Sequence, residues 1–156
     1  MTAAPHTSNW DIVYTLATFR LLDLPVKFTI KKEWMRFPFG LILRPFGAIP
    51  IDREHRNGKK VSMVQTMIEL FDQYDELIVL VTPEGTRQYA PEWKTGFYRV
   101  AEGANVPILL GFLDYEKKQA GVGPAIYPSG NIEADIATMK DFYRTITGRY
   151  PERGVK

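Results

Sequence analysis

His6 and Asp11 stand five residues apart in Pro5-His6-Thr7-Ser8-Asn9-Trp10-Asp11, at the entrance to an apolar stretch. Histidine exchanges protons near neutral pH. A carboxylate bonded to its second ring nitrogen fixes the tautomer and stabilises the imidazolium, so the pair suits a general base with an orienting acid. In a chain with two histidines this spacing also arises by chance, and other residues must support it. Glu84-Gly85-Thr86-Arg87 supplies a second candidate. Its glycine permits a tight turn and close backbone approach, its hydroxyl can bond a phosphate oxygen, and its guanidinium presents a bidentate fork. Taken alone, the tetrapeptide reads equally well as a surface turn closed by a Glu–Arg pair. Arg53 follows the extended run Ile51-Asp52, so two arginines could clamp one phosphate; by itself Arg53 reads as a solvated loop cation.

These groups need elements to hold them. Ile12, Val13, Leu16, Ala17, Phe19 and Leu22 repeat at helical spacing, which predicts a helix over Trp10–Leu22 with Thr7, Ser8 or Asn9 as its N-cap. Residues five apart on one helix point about 140° from each other. His6 therefore has to lie outside the helix, folded back toward Asp11. Val26–Ile30 alternates like a half-buried strand, and Gly47–Asp52 reads as a short extended segment that Pro50 confines to an edge or a bulge. Val61, Val64, Met67, Ile68 and Phe71 mark a second helix, and Leu77–Val81 has the length and branching of a buried strand that delivers Glu84 to its carboxyl end. Lys94–Ala101 reads as a helix, Val106–Leu113 as a second buried strand and Ala125–Tyr127 as a third. Ile132, Ile136, Met139, Tyr143 and Ile146 stripe a final helix that stops at Gly148. Alternating strands and helices predict an α/β layered domain with a largely parallel or mixed central sheet, and open sheets of that kind place ligands beyond the carboxyl ends of their strands.

Composition narrows the chemistry. The 156 residues suit one domain with a substantial core, 45% are hydrophobic and 24% charged, and no apolar run is long enough to span a bilayer. A net charge of +2 and a pI near 8.8 are too weakly basic for a nucleic-acid binder and suit an anionic substrate or membrane surface. With no cysteine there are no disulfides, no thiolate nucleophile and no Cys-based metal site, and two scattered histidines, of which His55 reads as an exposed loop residue, build none of the usual metal sites. Ser8, Ser62 and Ser129 lack the Gly-x-Ser-x-Gly elbow, and Gly121-Val122-Gly123 lacks the third glycine of a nucleotide loop. The segment Trp34–Phe46 interleaves aromatic and aliphatic residues with Arg36 and Arg44 and follows Lys31 and Lys32. It suits either a membrane interface or the lining of an acyl pocket.

Taken in order, these blocks resemble the glycerolipid acyltransferase family, which includes lysophosphatidate and glycerol-3-phosphate acyltransferases. His6–Asp11 resembles the family's His-x4-Asp block, Gly47-Ala48-Ile49-Pro50-Ile51-Asp52-Arg53 its second block and Pro83-Glu84-Gly85-Thr86-Arg87 its third. Lys31-Lys32-Glu33 and Lys94-Thr95-Gly96 are similar to flanking family patterns, and Val106-Pro107-Ile108-Leu109-Leu110 occupies the place of the fourth block. Pro5 stands where members often carry Asn, and Leu110 where a second proline is common. The resemblance implies a glycerol-3-phosphate acyltransferase-like fold, with His6 as the base that activates an acceptor hydroxyl and Asp11 as its orienting acid. Arg53, Glu84, Gly85, Thr86 and Arg87 would bind the acceptor phosphate, with Lys32 and Lys94 at the same substrate site. It implies no cofactor, only acyl-CoA or acyl carrier protein as co-substrate, and 1-acylglycerol-3-phosphate as the leading acceptor in phospholipid biosynthesis. It also implies a cytoplasmic, peripherally membrane-associated protein that binds no nucleic acid. Members usually carry an N-terminal helical segment ahead of the base, and on that pattern an upstream segment and the strand supporting His6 are expected to be missing here. A lipid- or phosphate-binding module that keeps the scaffold without turnover is the competing expectation.

Overall fold

The computed structural model describes residues 1–31, 37, 41, 47–51 and 62–156. Arg53, Lys32, His55 and nearly all of the 34–46 and 54–60 segments lie outside the described residues.

Six strands form one sheet: β1 (Thr2–Ala3), β2 (Val26–Lys31), β3 (Ala48–Ile51), β4 (Ile78–Val81), β5 (Ile108–Asp114) and β6 (Gln119–Ile126). Their order is β3-β2-β4-β1-β5-β6. The first five run parallel, and β6 returns antiparallel to β5. Pro50 lies in β3, which is an edge strand, where its missing N–H costs no ladder bond on the outer side. Gly47 leads into that strand at φ +85°, with a side chain there brought to 2.6 Å from the Val26 carbonyl oxygen, so only glycine fits.

Helices α1 (Trp10–Leu21), α2 (Met63–Gln73), α3 (Gly96–Gly103) and α4 (Ile132–Arg144) flank the sheet. Met67 and Leu70 of α2, Phe97, Tyr98 and Ala101 of α3 and Met139 and Tyr143 of α4 join Ala3, Val79, Ile108 and Leu110 in one buried cluster. Successive strand residues point to opposite faces. Leu80, Gly111 and Leu113 accordingly face the other way, toward α1.

Two expectations are corrected. First, the strand supporting His6 is present: Thr2–Ala3 pairs with Leu80–Val81 on one side and Leu109–Leu110 on the other. Two residues with no alternation of their own give no strand signal, yet mid-sheet they are fully buried. Second, β6 begins at Gln119, because its ladder with β5 tolerates the glycines that hide it in sequence. Helix α1 forms as predicted, and its apolar residues divide between its two faces. Asp11, Thr15 and Phe19 are buried, whereas Trp10, Ile12, Val13, Tyr14 and Leu21 are exposed.

Candidate active site

Parallel pairing of β1 with β4 brings two loops together. Thr2 and Ala3 stand opposite Leu80 and Val81, and the Ala4 N–H donates to the Val81 carbonyl (3.0 Å). His6 lies three residues beyond β1 and Glu84 three beyond β4, so equal chain lengths deliver the two side by side. The His6 backbone N–H donates to Glu84 Oε2 (3.0 Å), and the same oxygen is 3.7 Å from His6 Nδ1. That nitrogen is buried without a hydrogen-bond partner, while about a quarter of the imidazole side chain (26%) remains exposed. Glu84 is buried. A buried carboxylate beside a buried ring nitrogen is placed to stabilise a proton taken up by the ring.

The rest of the turn follows from local geometry. The Gly85 N–H closes on the Thr82 carbonyl (3.1 Å), and the Thr86 hydroxyl accepts the Gln88 N–H (3.3 Å). Gly85 has φ +65°, and a side chain there would come within 2.6 Å of Lys94 Nζ. Lys94 thus lies over the glycine, and its backbone N–H is fixed to the Pro83 carbonyl (2.9 Å). The Arg87 guanidinium donates to Asn9 Oδ1 at the start of α1. Gly85, Thr86, Arg87 and Lys94 are all exposed, so one surface presents a hydroxyl and two cations next to the His6 loop.

A cavity of about 270 Å³ opens from His6 and Asp11 and runs between α1 and the sheet. Thr15 and Thr82 lie along its polar part, and Ile12, Phe19, Leu80 and Leu113 make the remainder apolar. Among the described residues, no group of three or more His, Asp or Glu could hold a metal ion, and no helix is long and apolar enough to cross a membrane.

A family model described as Acyltransferase matches residues 1–109, from β1 into β5. The chain belongs to the acyltransferase family. No curated protein matches at a significant level. The matched stretch contains both loops, and the fold is the layered, mostly parallel sheet that the sequence predicts.

In this acyltransferase the expected sites are partly brought together. His6, Glu84, Gly85, Thr86, Arg87 and Lys94 converge, and Arg53 and Lys32 lie outside the described residues. Asp11 is buried in the loop that carries His6, yet it makes no hydrogen bond to the imidazole. Its Oδ2 accepts the backbone N–H groups of Thr7 (2.8 Å) and Ser8 (2.9 Å), and its Oδ1 accepts the Tyr115 hydroxyl (2.6 Å). The carboxylate therefore shapes the loop that carries His6, and Glu84 is the acid nearest to the ring. Asn9 takes the N-cap position of α1 but spends its side chain on Arg87 rather than on a helix amide, while Ser8 Oγ accepts the Trp10 N–H (3.2 Å).

Two tyrosines make polar contacts that the sequence reading missed. Tyr143 donates to the carbonyls of Ala3 (2.6 Å) and Gly111 (3.1 Å), and burial, reinforced by the nearby Glu84 charge, holds its phenol well above the usual range. Tyr115 is raised likewise, first by burial and then by its bond to Asp11, so both remain donors. The end of the predicted strand Val106–Leu113 puts Tyr115 near the carboxyl edge. Nothing in the sequence links it to Asp11, which is 104 residues away.

Proposed function

We propose that this acyltransferase moves a fatty acyl group from acyl-CoA or acyl carrier protein to a hydroxyl of a phosphate-bearing glycerolipid precursor, foremost 1-acylglycerol-3-phosphate, in phospholipid biosynthesis. One observation carries the reading. An imidazole backed by a buried carboxylate stands at the polar end of an apolar cavity, beside a loop bearing Arg87 and Lys94. An acyl chain suits the apolar part, and a phosphate suits the two cations.

In the proposed reaction His6 takes the proton of the acceptor hydroxyl as its oxygen attacks the thioester carbonyl. Glu84 stabilises the imidazolium, the tetrahedral intermediate collapses, and the C–S bond breaks. The departing sulfur takes the proton back from His6, leaving an ester and a free thiol. Asp11 holds the 6–11 loop, and Arg87, Lys94, Gly85 and Thr86 hold the acceptor phosphate, with Arg53 and Lys32 as further cations. Binding both substrates together makes the attack effectively intramolecular.

The same reading includes peripheral contact with an anionic lipid surface on the cytoplasmic side. The outward face of α1 supports it, since Trp10, Val13, Tyr14 and Leu21 are exposed there with Arg20 as the flanking cation. Aromatic and aliphatic side chains beside a cation suit the headgroup boundary.

The test uses purified protein, acyl-CoA or acyl carrier protein as donor and a panel of phosphorylated and phosphate-free acceptors, with lipid products read by mass spectrometry. The expected outcome is an acylated phospholipid and acceptor-dependent thiol release that falls at least about 100-fold in His6→Ala. Equal acceptor-dependent rates in wild type and variant would refute the assignment of the base.

A further inference from the structure

We infer that Tyr115 is a positioning residue for acyl transfer, acting through Asp11 to hold the loop that carries His6. The inference rests on the reaction proposed above and concerns residues beyond position 109, where the family match ends.

The Tyr115 hydroxyl donates to Asp11 Oδ1 at 2.6 Å, within the about 2.5–2.7 Å typical of a hydroxyl on a carboxylate. The other Asp11 oxygen holds the N–H groups of Thr7 and Ser8, the two residues after His6. Asp11 is buried, so its oxygens rely chiefly on protein donors. Among the described residues the phenol hydroxyl is the one donor to Oδ1, and removing it lets the carboxylate turn, which loosens the grip on both backbone amides.

Tyr115 is itself fixed. Its backbone N–H donates to the Thr147 carbonyl (2.8 Å), and its ring meets the Tyr14 ring edge-on at a centroid distance of 6.0 Å. A second strap reaches the same loop from the chain end, where the Tyr150 N–H donates to Thr7 Oγ1 (3.2 Å). The carboxyl end of β5 and the segment after α4 together brace the loop from the side opposite Glu84. A base must meet its proton within tenths of an ångström, so such bracing bears on turnover more than on substrate binding.

Tyr115→Phe keeps the ring and removes the hydroxyl. In wild-type protein without substrate, hydrogen exchange at Thr7 and Ser8 is the direct readout of the clamp, and it should speed up at least about fivefold in the variant while core strands β4 and β5 keep their protection. In the transfer assay kcat should fall about tenfold with KM for both substrates within about twofold. In an Asp11→Asn background the same substitution should lower kcat by less than about twofold, because both changes cut one connection.

Unchanged exchange at Thr7 and Ser8, a rise in KM with kcat preserved, or an equal kcat loss in both backgrounds would overturn the inference. A wild type without transfer would refute the reaction instead, and the exchange data would still decide the clamp. Should Tyr115→Phe fail to fold, the Tyr115 Cζ resonance answers in its place. Tyr14 and Arg149 also face this ring, but neither changes when Asp11→Asn removes the carboxylate charge, so the phenol should then titrate at lower pH. The same titration in both proteins would overturn the link.

Discussion

Replacing Glu84 by glutamine separates two jobs of one side chain. The amide keeps an oxygen for the His6 N–H, so the loop stays tethered, and only the negative charge near the ring is lost. The charge lies 3.7 Å from Nδ1. At an effective dielectric of about 20, unit charges at that distance interact by about 4.5 kcal/mol. The imidazole is 26% exposed, so water screens most of this, and about 1 kcal/mol is the expected loss. That corresponds to a rate about fivefold lower. A general base carries its positive charge only after taking the acceptor proton, so the loss belongs to kcat and leaves acceptor KM within about twofold. Steady-state thiol release against acceptor concentration measures both. A Glu84→Gln kcat within about twofold of wild type would refute the role of the carboxylate, and an equal loss in kcat and rise in KM would make Glu84 a substrate-binding group instead.

Two further outcomes follow from the exposed surfaces. Arg87→Ala should raise KM about tenfold for phosphorylated acceptors and less than about twofold for phosphate-free ones, because a charge-assisted contact to phosphate disappears; equal changes for both acceptor types would remove Arg87 from the phosphate site. Leu21 is 87% exposed, so Leu21→Glu should leave thermal stability unchanged and weaken binding to anionic phospholipid vesicles about tenfold. Undiminished vesicle binding would exclude the outer face of α1 from membrane contact.

Local pattern made most elements readable. The stripe Val64, Met67, Ile68 and Phe71 marks α2, the branched run Ile78–Val81 marks β4, and Pro50 confines β3 to an edge or a bulge, since each of these signals depends on a few neighbouring residues. Elements whose only reason is long-range were hidden. β1 is two residues long and exists because β4 and β5 offer it a ladder on each side. β6 carries Gly121 and Gly123 and is held by β5. In α1 periodicity gives a helix but not the side that meets the sheet, and here that side carries Asp11 and Thr15 together with Phe19 and lines a cavity.

The sequence by itself determined which chemistry was available. A single histidine in the His-x4-Asp block, a Glu-Gly-Thr-Arg turn after a buried strand and no cysteine make base catalysis beside a phosphate site an available chemistry and exclude a thiolate nucleophile. Only the tertiary structure decided which acid serves which group. Spacing pairs His6 with Asp11, but Asp11 faces backbone amides and Tyr115, and Glu84, 78 residues away, stands beside the ring. The reason is physical: parallel pairing of β1 with β4 fixes the two loops side by side, and burial leaves each carboxylate only the partners that the fold brings to it.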